Sequence, residues 1–188
     1  MTDREKQLVS LLHREVKPAL GCTEPIAVAL AVAKAVETLP EDGSVPRLEA
    51  EFKVSIAVSG NILKNGMGVG IPGTGMIGLH IAAALGAVCG HSRYGLEVLH
   101  DLNPQAIERA KELVRNNRIS VSVADTPHKL YVSARVEMPG LPDATAVIED
   151  STDHFVKILC GDTVLMDCEG AETEEGESGD YGLTVREA

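Results

Sequence analysis

No tryptophan occurs in these 188 residues, and all aromatic residues together make up only 3% of them. So few rings leave little for bases to stack on, and a formal net charge of -11 repels phosphate backbones. Nucleic acid is therefore set aside as a partner. Long hydrophobic runs are also missing. The longest, Pro25 to Ala33, falls well short of the roughly 20 apolar residues that cross a bilayer, so no membrane role follows. Cysteine is sparse: Cys22, Cys89, Cys160 and Cys168 lie far apart without a CxxC pair, and no basic stretch with an apolar core opens the chain. These absences exclude a disulfide framework and point to a reducing, cytoplasmic setting. The six histidines, His13, His80, His91, His100, His128 and His154, show neither HxxxH nor HExxH spacing, which argues against a zinc site built from local sequence.

What the chain does contain is clear periodicity. Thr2 and Glu5 have the spacing of a capping box, and Leu8, Leu11, Leu12 and Val16 recur at helical intervals until Pro18 disfavours helix at Lys17. A second helix is expected after Thr23, capped by its hydroxyl and apolar nearly all round through Ile26, Leu30 and Val32, hence buried. From Leu48 to Val58 apolar and polar residues alternate, which predicts one long strand over 47–59 with a wet face. A glycine-rich loop, Asn65 to Gly75, leads into an Ala/Gly-rich helix from Met76 to Val88, and an amphipathic helix spans Pro104 to Arg115. From Ile119 onward the period is two, with runs around Val121, Val132 to Met138, Ala144 to Ile148 and Val156 to Cys160, as in an antiparallel meander. The expected architecture is α+β: an antiparallel or mixed sheet with Ala/Gly-rich helices packed on one face. Residues 1–168 form that domain and 169–188 an acidic, solvated linker or tail.

Three places carry chemistry. Cys22 stands at the mouth of the second helix, where the helix dipole favours a thiolate able to bind iron or zinc or to attack; the alternative is a small structural cysteine between helices. The runs Gly68 to Gly73 and Gly73 to Gly78 both match GxGxxG, but the preceding strand is charged on one face and residues 61–67 intervene, unlike a dinucleotide-binding turn. The amides of Gly73, Thr74 and Gly75 could instead hold a small carboxylate at a helix start, or the glycines could serve tight turns alone. Asn61, Lys64 and Asn65 add amide and ammonium groups for a polar substrate, with Thr23 and Glu24 beside the thiol. Cys89, Cys160 and Cys168 read as structural.

The segments Glu15-Val16-Lys17-Pro18-Ala19-Leu20-Gly21-Cys22-Thr23-Glu24-Pro25, Lys64-Asn65-Gly66-Met67-Gly68-Val69, Ile71-Pro72-Gly73-Thr74-Gly75 and Gly95-Leu96-Glu97-Val98-Leu99 resemble the UPF0597 family of L-cysteine desulfidases, relatives of the iron-sulfur L-serine dehydratase alpha chain. The resemblance covers essentially the whole chain. It implies a pyridoxal-independent lyase whose 4Fe-4S cluster, held by three cysteines, leaves one iron open for α,β-elimination from L-cysteine or L-serine. Cys22 matches the family's N-terminal cluster ligand. The other two ligands belong to a later part of the family's sequence, so this chain is expected to be the N-terminal portion of a longer protein and inactive alone. The remaining half of that protein, an amino-acid substrate and a second copy are the expected partners, without PLP or NAD. A non-enzymatic small-molecule binding domain and, third, a dinucleotide enzyme are the competing readings.

Overall fold

The computed structural model describes residues 2–15, 19, 21–40 and 46–168. The expected acidic tail, 169–188, and the helix stop at Val16 to Pro18 lie outside them. Five α-helices, α1 (Asp3–Glu15), α2 (Thr23–Thr38), α3 (Gly60–Gly66), α4 (Leu79–Cys89) and α5 (Pro104–Arg115), accompany six strands among the described residues. The strands are β1 (Lys53–Val58), β2 (Ile119–Val123), β3 (Tyr131–Glu137), β4 (Ala144–Glu149), β5 (Phe155–Cys160) and β6 (Thr163–Asp167). A 3-10 segment, Ser92–Glu97, links α4 toward α5.

All six strands form one sheet in the order β2-β1-β3-β4-β5-β6. β3 to β5 are the expected antiparallel meander, and β6 extends it by one more antiparallel strand. β2 departs from it: it pairs parallel with β1, Val54 opposite Ile119 and Val58 opposite Val123, and so becomes an edge strand. Parallel neighbours need a long crossover, which α3, α4 and α5 supply. The sheet is thus mixed, and one face is buried through Val54, Ile56, Val58, Val132, Ala134, Val136, Ala146 and Ile148. α2 packs against β3, β4 and β5, and α4 against α2 and β2. This is the α+β architecture with helices on one face that the periodicity predicts. No helix among the described residues is long and apolar enough to cross a membrane.

Several boundaries differ from expectation for identifiable reasons. The long first strand shrinks to Lys53–Val58 because residues 46–50 close a turn on themselves, with Glu49 N–H donating to the Pro46 carbonyl at 2.8 Å. Arg47 leaves the strand direction altogether, and its Nη1 donates to the Gly90 carbonyl, 2.6 Å away, at the end of α4. α2 is not capped by Thr23: Cys22 is the N-cap residue, in extended backbone with no side-chain cap bond, and Thr23 is the first helical residue. α4 starts at Leu79 rather than Met76, since Gly78 at φ +94° breaks the chain's direction there. A Cβ on Gly78 would also stand 2.9 Å from the Met67 carbonyl oxygen. α3 and β6 are additions. β6 carries three consecutive exposed apolar residues, Val164, Leu165 and Met166, so it has no period of two to reveal it.

At the N-terminus, the capping box forms as the sequence predicts: Thr2 N–H donates to Glu5 Oε2 at 2.7 Å and Glu5 N–H to Thr2 Oγ1 at 3.3 Å. Much of the apolar side of α1 nevertheless remains in solvent, with Leu12 59% exposed.

Candidate functional site

The buried helix α2 aims its first turn at the end of the sheet where β1 feeds α3. Cys22, its cap residue, is exposed there with its thiol in the open. Gly21 precedes it at φ +149°, a backbone angle that side chains rarely adopt, and a Cβ there would stand 3.8 Å from the Pro72 ring. From the other side comes α3. Ser59, 3% exposed, caps that helix by accepting from the Ile62 N–H at 3.5 Å while donating its hydroxyl to the Lys129 carbonyl at 2.8 Å. The end of α3 closes on α2 at Gly66, where an added Cβ would stand 3.6 Å from the Glu24 Cβ and 2.4 Å from Leu79 Cδ2.

That closure brings two of the sequence-predicted groups into contact. Asn65 Nδ2 donates to Glu24 Oε1 at 3.3 Å, and Thr23 Oγ1 donates to Glu24 Oε2 at 3.4 Å. Glu24 therefore ties the start of α2 to the end of α3, one residue on from Thr23 and two from the thiol. Asn61 and Lys64 are exposed on α3. Residues 67–78 fold back as a tight loop closed by a Gly70–Ile77 bridge, by Ile71 N–H to the Met76 carbonyl at 3.0 Å and by Gly78 N–H to the Val69 carbonyl at 2.9 Å. Gly73, Thr74 and Gly75 sit at its tip and not at a helix start, as the sequence had suggested. Thr74 is 4% exposed and its hydroxyl donates to the Ile71 carbonyl at 2.7 Å while accepting from the Met76 N–H, so it shapes the turn. Gly73 and Gly75 present exposed backbone, Gly73 beside Leu102.

Cys89 and Cys160 lie elsewhere. Cys89 is buried at the end of α4, its Sγ donating to the Leu85 carbonyl, and burial pushes its thiol up to about 11. Cys160 aligns through Ala144 and Val136 with Val54, at the end of the strands opposite α3. With its thiol held up by burial, Cys89 carries little of the reactive thiolate at pH 8. Iodoacetamide at that pH should alkylate Cys22 in the native protein and reach Cys89 only after unfolding, as peptide mass spectrometry would report. Rapid native labelling of Cys89 would contradict the packing around it.

Ser59 offers a second check. Ser59→Ala removes a cap and strands the Lys129 carbonyl, which should cost about 1–2 kcal/mol in urea unfolding. An unchanged midpoint would show that the hydroxyl holds neither partner.

Comparison with known sequences gives nearly the whole chain its relatives. A UPF0597 protein of Bacteroides fragilis is 50% identical over 188 residues, 99% of this chain and 42% of its own length. Another, from Bacteroides thetaiotaomicron, is 47% identical over 182 residues, 96% of this chain and 40% of its own. One from Shewanella halifaxensis is 40% identical over 164 residues, 87% and 38% of the respective lengths. The chain belongs to the UPF0597 family. It spans about two fifths of the length of these UPF0597 relatives. No family model and no solved structure matches the chain.

The sequence named the components of this candidate site but not their connections. The pairing of Glu24 with Asn65 spans 41 residues, and Pro72 approaches Gly21 from still farther along the chain, so neither has a local signature. His128, Glu149 and Asp150 were missed outright. They gather beside the same end of the sheet from a loop and a turn more than 20 residues apart in sequence.

Proposed function

We propose that this chain supplies Cys22 as one ligand of a 4Fe-4S cluster in a pyridoxal-independent lyase acting on L-cysteine or L-serine, the remaining ligands coming from other parts of a longer protein. The observation that carries this reading is the convergence of three separate motifs, at Cys22 to Glu24, at Asn65 and at Pro72, around an exposed thiol at one end of the sheet. The donor chemistry fits in part: a thiolate is the ligand iron-sulfur clusters use, and Cys22 is free and exposed. Cys89 is buried at the end of α4 and Cys160 lies at the opposite end of the strands, so neither stands beside Cys22. When bound, such a cluster supplies a Lewis-acidic iron to the leaving sulfur or hydroxyl.

The chain's own part is to bind and orient. The exposed Lys64 ammonium offers a charge partner for the substrate carboxylate. Glu24 accepts from Asn65 and Thr23, which fixes the carboxylate's direction, and its remaining acceptor capacity suits the substrate ammonium. Gly73 and Gly75 offer backbone amides on the facing loop, while Thr74 keeps that loop closed. Asn61 borders the same surface on α3.

The test is sulfide release from L-cysteine, and pyruvate from L-serine, by the full-length protein reconstituted anaerobically with iron and sulfide. Lys64→Ala and Asn65→Ala should each raise KM about tenfold, the expected loss for a hydrogen bond to a charged group. Unchanged KM in both would remove α3 from substrate binding. Amino-acid binding without turnover would instead make the protein a small-molecule binding domain.

A further inference from the structure

We propose that His128, Glu149 and Asp150 form a binding site for a divalent metal ion of the zinc class. His128 lies in the loop between β2 and β3, Glu149 ends β4, and Asp150 opens the turn to β5. The backbone locks these pieces together. Tyr131 pairs with Glu149 and Val132 with Ile148, Asp150 N–H donates to the Leu130 carbonyl at 3.0 Å, and Glu149 N–H donates to the His154 carbonyl at 3.1 Å.

Both imidazole nitrogens face carboxylates. Nδ1 stands 2.9 Å from Asp150 Oδ1 and Nε2 3.8 Å from Glu149 Oε2. One ligand atom from each of the three residues lies within 4.8 Å of the others. A zinc-class ion sits roughly 2.0–2.2 Å from nitrogen and oxygen ligands, so two ligands of one ion stand no more than about 4.4 Å apart. A small side-chain rotation therefore closes the set on a single ion, and water completes the coordination.

Charge favours the ion over a proton. Two carboxylates around an imidazolium leave the cluster one negative charge in excess, whereas a divalent ion with neutral imidazole balances it. The Glu149 side chain is only 13% exposed, so its carboxylate has lost most of its water and gains most from a cation. One imidazole and two carboxylates suit zinc, cobalt or manganese better than calcium, which takes oxygen alone. Such an ion staples the loop at 128–130 to the β4–β5 turn. That loop carries the Lys129 carbonyl to which Ser59 donates at the start of α3. The site stands independently of any role for Cys22.

The experiment titrates the full chain with Zn2+ by calorimetry and with Co2+ by visible absorption. One equivalent should bind, with cobalt spectra free of thiolate charge-transfer bands and an upward shift in Tm. His128→Ala and Glu149→Gln should each weaken the affinity at least tenfold while the far-UV circular dichroism stays unchanged. Should a variant fail to fold, selective broadening of the His128 ring signals by Co2+ in the unmodified protein gives the same answer. No binding, binding that carries thiolate bands, binding undiminished in His128→Ala, or His128 signals left sharp would each overturn the site.

Discussion

Gly86→Val is expected to lower the free energy of unfolding by about 3 kcal/mol, the upper end for overpacking a core. α2 and α4 run side by side in the same direction, with Gly86 against Ala29 and Gly90 against Ala33. A Cβ on Gly86 would stand 2.4 Å from the Ala29 carbonyl oxygen and 3.0 Å from its α-carbon. Both are backbone atoms of a buried helix, so no side-chain rotation relieves the clash and the helices must move apart. Their separation would open gaps along Ala27 to Ala33 and Ala82 to Val88, all essentially buried. Valine has nearly the same modest helix propensity as other β-branched residues, so little is regained locally. In thermal unfolding the loss corresponds to roughly 6–12 °C for a domain of this size. Gly68→Ala is the control, since a Cβ there meets nothing within 4 Å and should shift stability by less than about 0.5 kcal/mol. Equal stabilities for the two variants would mean that α2 and α4 do not approach so closely.

Cys22→Ala in the full-length, reconstituted protein should abolish both cluster absorbance and turnover. Its fold should survive. The Cys22 side chain is exposed and makes no cap bond, so its removal should change unfolding by no more than about 0.5 kcal/mol. Cys22→Ser sharpens the contrast, because serine is a preferred N-cap residue and should stabilise α2 by about 0.5–1 kcal/mol. One variant would then gain stability and still lose the cluster, a combination that a purely structural cysteine does not give. Full activity in either variant would remove Cys22 from the mechanism.

Legibility in the sequence followed the range of the interactions. α5 was readable to the residue, because Asn103 accepts from the Ala106 N–H at 3.0 Å as an N-cap and Pro104 follows at the first helical position. β3 and β5 alternate because one face is buried and the other is not, whereas β4 breaks the alternation at Val147, buried between Ala146 and Ile148. The strand expected from Arg47 failed where a side chain reached out of its own segment: Arg47 satisfies the end of α4, and the pattern that suggested pairing had no partner strand. α3 was hidden within a polar stretch, since a helix of 7 residues has too few turns to show a period. At the site, the types of residue were visible and their contacts were not.

By itself the sequence determined most of the helices and strands, α3 and β6 excepted, which faces of them are buried, and that the chain carries the motifs of its family, because periodicity, caps and turn residues act between near neighbours. Only the tertiary structure decided that β2 joins β1 in parallel, that Glu24 meets Asn65 beside an open thiol, and that His128 faces two carboxylates. Those outcomes depend on how closely α2 and α4 pack and on how the crossover returns to the sheet, and such distances are set by the whole core rather than by any stretch of chain.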